Sequence, residues 1–136
     1  MQISIQTTIH APLEKVWSVW TTPSDITQWN FASQDWCCPK AQINLVVGGE
    51  FNYRMEEKNG SVGFDFQGKF ILIDENSSIE YVLADDRKVS ISFAQTQEGI
   101  LVSQTFDTEE ENTVELQKQG WQSILDNFKE YVQNKY

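Results

Sequence analysis

Thiols, imidazole and carboxylates are the groups of this chain able to do covalent or metal chemistry, and the first two are scarce. Both cysteines stand side by side in "DWCCP", residues 35–39, and His10 is the only histidine. A nucleophilic cysteine needs a base or a positive field to form thiolate, yet His10 falls at the far end of a first strand. A structural zinc site takes four ligands, more than two adjacent thiols and one imidazole supply, and the paired spacing of a zinc knuckle is absent. Neither a metal nor a cofactor is expected. Consecutive Cα atoms lie about 3.8 Å apart, below the ~4.4 Å that a relaxed disulfide requires. Both thiols are therefore expected to be reduced. The carboxylates of Asp85–Asp86 and Glu109–Glu111 fall in an anticipated turn and a helix entry, with no apolar enclosure to raise a pKa, and read as solvated. Gly48-Gly49 has no following helix N-terminus and no suitably placed lysine, so it reads as a hairpin turn and not a phosphate cradle.

One polar residue and many rings are left. Gln104 shares the parity of Ile100, Val102 and Phe106, which turns its amide toward the covered face of a strand. There it is either a satisfied core glutamine or a group that orients a ligand. Trp121 poses the same alternative, because a buried indole N–H needs an acceptor while the ring supplies apolar area. Aromatic residues make up 12% of the chain and recur along its whole length. Large rings with a flexible Met line an irregular void more readily than they fill a core, which favours branched aliphatics. The expected cavity residues are Phe51, Tyr53, Met55, Phe64, Phe66, Tyr81 and Phe93 from strands, with Gln104. Trp121, Leu125 and Phe128 join them from a helix, and Trp29, Trp36 and Cys38 form wall or rim.

These residues need elements to hold them. Ile3, Ile5, Thr7 and Ile9 alternate with polar residues as one strand. Pro12 suits the first turn of a short helix that gathers Val16, Trp17, Val19 and Trp20 on one side. A second short helix, capped by Thr22 or Ser24 with Asp25 in its first turn, carries Ile26 and Trp29 inward and ends near Asn30. Strand periodicity resumes at Gln42 with Ile43, Leu45 and Val47, then Phe51, Tyr53 and Met55. The next strand places Val62, Phe64, Phe66, Gly68, Phe70 and Leu72 on one parity. Ile79-Tyr81-Leu83, Val89-Ile91-Phe93 and Ile100 to Phe106 complete a meander of about six antiparallel strands after the helices. Thr108 with Glu111, or Asn112 with Glu115, offers a capping-box start to a long helix. It runs from Thr113 to about Gln133 and faces Gln117, Trp121, Ile124, Leu125, Phe128, Tyr131 and Val132 inward. The chain is thus expected to be one α+β domain, residues 1–136. A strongly curved antiparallel sheet of about seven strands would wrap the terminal helix, with two short helices between strands one and two.

Three stretches, "APLEKVWSVWTTPSDITQW" (11–29), "VGGEFNYRMEEKNGSVGFDFQGKF" (47–70) and "GWQSILDNFKEYV" (120–132), resemble bacterial proteins similar to the activator of heat-shock protein 90 ATPase. The resemblance covers essentially the whole chain, and the spacing of Trp20, Pro23, Trp29 and Gly120-Trp121 carries it. It implies the START-like helix-grip fold shared with the birch-pollen allergen and polyketide cyclases, with a cavity between sheet and helix. In that family Trp36, Cys38 and Pro39 match a tryptophan-x-cysteine-proline pattern. Cys37 stands where histidine is frequent, so no role for that histidine carries over. Cys37 is expected to be the more exposed and reactive thiol.

A net charge of −10 repels phosphate backbones and anionic lipid, so neither nucleic acid nor membrane is an expected partner. No basic start with an apolar run and cleavage site opens the chain, and no segment has spanning length; a cytoplasmic protein is expected. The leading functional expectation is a non-catalytic protein binding a small hydrophobic or aromatic molecule, lipid- or polyketide-like. The alternative is a co-chaperone-like interaction module with a protein partner such as a chaperone. A cyclase or hydratase comes third, since no acid and base cluster inside the expected cavity.

Overall fold

The computed structural model describes residues 1–136. Its elements are β1 (Gln2–Ile9), α1 (Leu13–Thr21), α2 (Pro23–Trp29), β2 (Trp36–Ile43), β3 (Glu50–Glu57), β4 (Gly63–Asp74), β5 (Ser78–Leu83), β6 (Lys88–Thr96), β7 (Gly99–Asp107) and α3 (Val114–Lys135). The seven strands form one sheet in the order β1-β7-β6-β5-β4-β3-β2, antiparallel throughout. Because α1 and α2 carry the chain from one sheet edge to the other, β1 ends up beside β7, with Gln2 opposite Asp107 and Ile9 opposite Ile100. The sheet curves strongly into a half-barrel. Its concave face holds α3, which at 22 residues spans roughly 33 Å at 1.5 Å per residue. No helix is long and apolar enough to cross a membrane.

Alternation anticipates most of this register. Ile79, Tyr81 and Leu83 are buried, as are Val89, Ile91 and Phe93, and Ile100, Val102, Gln104 and Phe106. Two strands depart from it. β2 begins at Trp36 and not at Gln42, so "DWCCP" is itself strand, at the sheet edge. The ladder to β3 shifts between Cys37 and Lys40, around Pro39, which has no N–H to donate. In β4 a register shift between Phe70 and Leu72 sets two residues against one on β5. Ile71 and Leu72 are therefore exposed, and Ile73 takes the inward place that strict alternation gives Leu72.

Helix caps differ as well. The Pro12 and Thr22 backbone carbonyls accept the first N–H groups of α1 and α2, with no side-chain cap at either. The α3 cap is Thr113, whose hydroxyl accepts from the Leu116 N–H at 3.1 Å, in place of Thr108 or Asn112. The acidic run before it is ordered locally. Glu109 accepts from the Glu111 and Asn112 N–H groups, while the buried Gln117 amide bonds both backbone groups of Glu109 and the Asn112 carbonyl.

Asp25 does more than favour the first turn of α2. It is only 6% exposed, and Oδ1 accepts from the Tyr131 hydroxyl at 2.6 Å and from Lys135 Nζ at 2.7 Å, tying α2 to the last turns of α3. Asp25→Ala removes both bonds at once. Its expected cost is about 1–3 kcal/mol, since Lys135 keeps its access to water. Urea denaturation of the variant against wild type measures it.

Candidate functional site

The aromatic residues divide into two groups. Toward α1 and α2 the rings pack solidly: Phe128, fully buried, meets Trp20 edge-on at 4.9 Å and Trp29 at 4.8 Å, while Phe93 meets Trp17 at 5.3 Å and Trp20 at 6.0 Å. The Trp29 indole N–H donates to the Val19 carbonyl at 3.2 Å, and the Asn127 amide donates to the Trp29 carbonyl at 2.8 Å. On β3–β5, Phe51 lies at 4.8 Å from Tyr53, 5.3 Å from Phe70 and 4.7 Å from Tyr81. Gly68 makes room for it, because a Cβ there would stand 2.9 Å from the Phe51 ring and 2.8 Å from the Val82 carbonyl.

Between these groups, under α3, lies a cavity of about 260 Å³. Trp20, Trp29, Ile43, Tyr53, Met55, Phe64, Phe66, Phe70, Ile79, Tyr81, Trp121 and Ile124 form its apolar lining, with Asn30, Arg87 and Gln104 as the other three residues. Of the residues expected from the sequence, Trp29, Tyr53, Met55, Phe64, Phe66, Tyr81, Gln104 and Trp121 line this one cavity. Phe51, Phe93, Leu125 and Phe128 sit behind the lining as buried core. Trp36 is half-buried on the β2 edge and meets the exposed ring of Phe64 at 5.8 Å.

Trp121 is half-buried, stacked on Phe106 at 4.1 Å with an interplanar angle of 9° and edge-on to Phe66 at 6.0 Å. Its indole N–H bonds no protein acceptor. Complete burial would make Trp121→Ala one of the costliest substitutions, but the full-burial penalty belongs to Phe128 instead. Trp20, Ile43, Phe70, Ile79 and Ile124 already face inward by periodicity. Asn30 and Arg87 carry no such signal, one being the C-cap of α2 and the other part of a turn.

Polar groups in the cavity have unusual surroundings. Gln104 is 5% exposed, yet its carboxamide makes no hydrogen bond to the protein. Neither do the hydroxyls of Tyr53 and Tyr81. Burial pushes both phenols far above their ordinary value of 10.0; Tyr81 and Cys38 push Tyr53 further the same way, while the Arg87 charge pulls Tyr81 back. Both hydroxyls are consequently protonated at neutral pH, able to donate and accept but not to act as bases. The Asn30 amide donates to Met55 Sδ at 3.4 Å.

Cys38 belongs to the buried core beside this wall. Cys38 is 2% exposed, donates weakly to the Lys40 carbonyl at 3.6 Å, and has its pKa raised, chiefly by burial. Cys37 is half-buried, and both thiols are free. β1, which ends beside His10, and β2 are opposite edges of the sheet, and the His10 N–H is bonded to Gln133 Oε1 of α3.

Comparison with known proteins places this geometry among solved relatives. The NMR structure of the AHSA1-like protein from Aeromonas hydrophila is 43% identical, with a TM-score of 0.94 over 99% of this chain and 94% of that one. A protein from Cytophaga hutchinsonii is 42% identical, with a TM-score of 0.85 over 98% and 93%. A Nitrosomonas europaea protein at 16% identity and a TM-score of 0.84, over 99% and 96%, shares the fold. No curated protein matches. The profile described as "Activator of Hsp90 ATPase homolog 1-like protein" matches residues 10–133. With nearly the full length matched, and the same helix-gripping sheet in relatives above 40% identity, the chain belongs to the family of Activator of Hsp90 ATPase homolog 1-like proteins.

Proposed function

We propose that this chain is a binding protein whose cavity takes a small hydrophobic or aromatic molecule, of lipid- or polyketide-like chemistry, and leaves it chemically unchanged. The observation that carries the reading is the Gln104 carboxamide, buried in the cavity wall without a protein partner. Its amide atoms stay reachable from the cavity, since the one fully enclosed side-chain polar atom without a partner is Asn52 Oδ1, so a ligand carbonyl or hydroxyl placed against Gln104 would gain a hydrogen bond worth about 0.5–1.5 kcal/mol. Tyr53 and Tyr81 offer two further hydroxyls, and the rings supply apolar area. An apolar cavity of about 150 Å³ binds benzene, so 260 Å³ suits a body of about two fused rings. Proton-transfer chemistry gains no support from the lining, whose phenols are held neutral by burial.

A thermal-shift panel of small aromatics, fatty acids and polyketides tests the proposal. A ligand present at about 100 times its Kd stabilises the native state by about 2.7 kcal/mol, so at least one class should raise the melting temperature. Gln104→Leu should lose most of the shift while melting no lower than wild type without ligand. A panel with no active class would count against the cavity and favour the second reading, a co-chaperone-like module that binds a protein such as a chaperone. The observation favouring that reading is the family's description together with the exposed side chains of Val46, Val47, Ile71 and Leu72. The Gly48 and Gly49 backbone pairs with Phe70, which brings these residues side by side on the outer surface. Charge reversal at Glu110 and Glu111 probes the acidic exterior without disturbing Glu109, which holds the turn before α3.

A further inference from the structure

One side chain in the cavity lining carries a charge. Arg87 sits at the end of the β5–β6 turn, and no Asp, Glu, Lys or His joins it among the lining residues. Its Nε donates to Asp85 Oδ2 at 2.7 Å, but Asp85 is more than half exposed, and the two terminal guanidinium nitrogens bond no protein acceptor. Glu109 also lies within the field of Arg87, with both carboxylate oxygens already accepting the N–H groups of Glu111 and Asn112. A pair of free guanidinium N–H groups matches the two oxygens of a carboxylate in geometry as well as charge.

Strand register gives the cavity a direction. Tyr81 pairs with Val89, two residues beyond Arg87, and Gln104 pairs with Ile91, four residues beyond it. At about 3.3 Å per residue the level of Gln104 is roughly 13 Å from the Arg87 backbone, a distance the arginine side chain partly spans. Between them lies the level of Val89, flanked by Tyr81 and by Phe106, on which Trp121 stacks, while Ile79 stands at the level of Gln104; these side chains offer ring faces and edges and aliphatic surface. We propose that the preferred ligand is an aromatic carboxylate, its anionic group on the free end of Arg87, its rings under Trp121 and an oxygen substituent at Gln104. This rests on the reading of the cavity as a ligand site and adds the ligand's charge and orientation. The net charge of −10 does not oppose it at contact range, because exposed acidic groups are screened beyond a Debye length of about 8 Å.

Three isosteric probes separate the claims: naphthalene-2-carboxylate, naphthalene-2-carboxamide and the cationic naphthalen-2-ylmethylamine, titrated calorimetrically at neutral pH into wild type and Arg87→Met. The carboxylate should bind wild type at least about 10-fold more tightly than the carboxamide, a difference of about 1.4 kcal/mol, and the amine should bind weakest. In Arg87→Met the preference should collapse to about twofold or less, with carboxamide affinity retained. Arg87→Lys should keep part of the preference, showing that charge and not loss of fold is read. Equal binding of carboxylate and carboxamide by wild type, or a preference that survives Arg87→Met, overturns this proposal and leaves the cavity reading standing. Failure of all three probes to bind overturns both.

Discussion

Phe128→Ala will lower the free energy of unfolding by about 3–5 kcal/mol, the range for truncating a buried aromatic ring. Phe128 is fully buried on α3 and is the ring on which Trp20 of α1 and Trp29 of α2 both close, at 4.9 and 4.8 Å. Each edge-to-face pair adds to the area term. The neighbours cannot collapse freely into the space, because the Trp29 indole is held by the Val19 carbonyl and its backbone by Asn127. Phe128→Leu should cost markedly less, as it keeps most of the volume. Guanidinium denaturation followed by tryptophan fluorescence reads both variants, and a loss below about 1 kcal/mol for alanine would mean that the three helices are not joined through this ring.

Stability will fall steeply above pH 10, and Tyr81 and Tyr53 will be responsible for much of the fall. Burial raises both phenols above their value in the unfolded chain, so the native state holds these protons more tightly. A raised folded-state pKa contributes stability that is fully present below the unfolded value, near 10, and is lost as pH climbs toward the folded value. Each such group adds a slope of about 1.4 kcal/mol per pH unit within that window, and two of them about twice that. Tyr131 and Lys135 shift in the same direction, Tyr131 chiefly through burial and Lys135 through its bond to Asp25, and lose their contributions over the same range. Tyr81→Phe should flatten the alkaline limb by one such step. At pH 7 it should be nearly neutral or slightly stabilising, because the hydroxyl it removes has no protein partner. Denaturation curves at neutral pH and through pH 10–11.5 test both halves, and an unchanged alkaline slope in Tyr81→Phe would place that hydroxyl in water.

Most strands and all helices were legible in the chain because a period of two or of three to four residues sorted large apolar side chains to one side. Ile79-Tyr81-Leu83 and Ile100 to Phe106 show this in its simplest form. Legibility stopped where the period breaks. Pro39 and the cysteine pair hid the first half of β2, and the bulge after Phe70 reversed the facing of Leu72. Thr113 lacks the Glu three residues on that marks a capping box, and Gln117, expected to face inward, does so as a brace for the turn before α3. The cavity followed a similar division. Its rings and Gln104 were readable from parity, since inward strand positions must meet under the covering helix. Arg87 was not, because an arginine in an Asp-Asp-Arg turn has no periodicity to say that its side chain faces the cavity. Nor was the contact between Asp25 and Lys135, 110 residues apart.

An NMR titration with naphthalene-2-carboxamide tests the central claim most directly, since the probe carries no charge and reports on the cavity alone. Saturable shifts should concentrate on the Trp121 indole, the Gln104 carboxamide, the Met55 methyl group and the backbone of β3, β5 and β7. No saturable change at these groups, or changes confined to the outer surface around Val46, Val47, Ile71 and Leu72, would contradict a ligand site between the sheet and its helix.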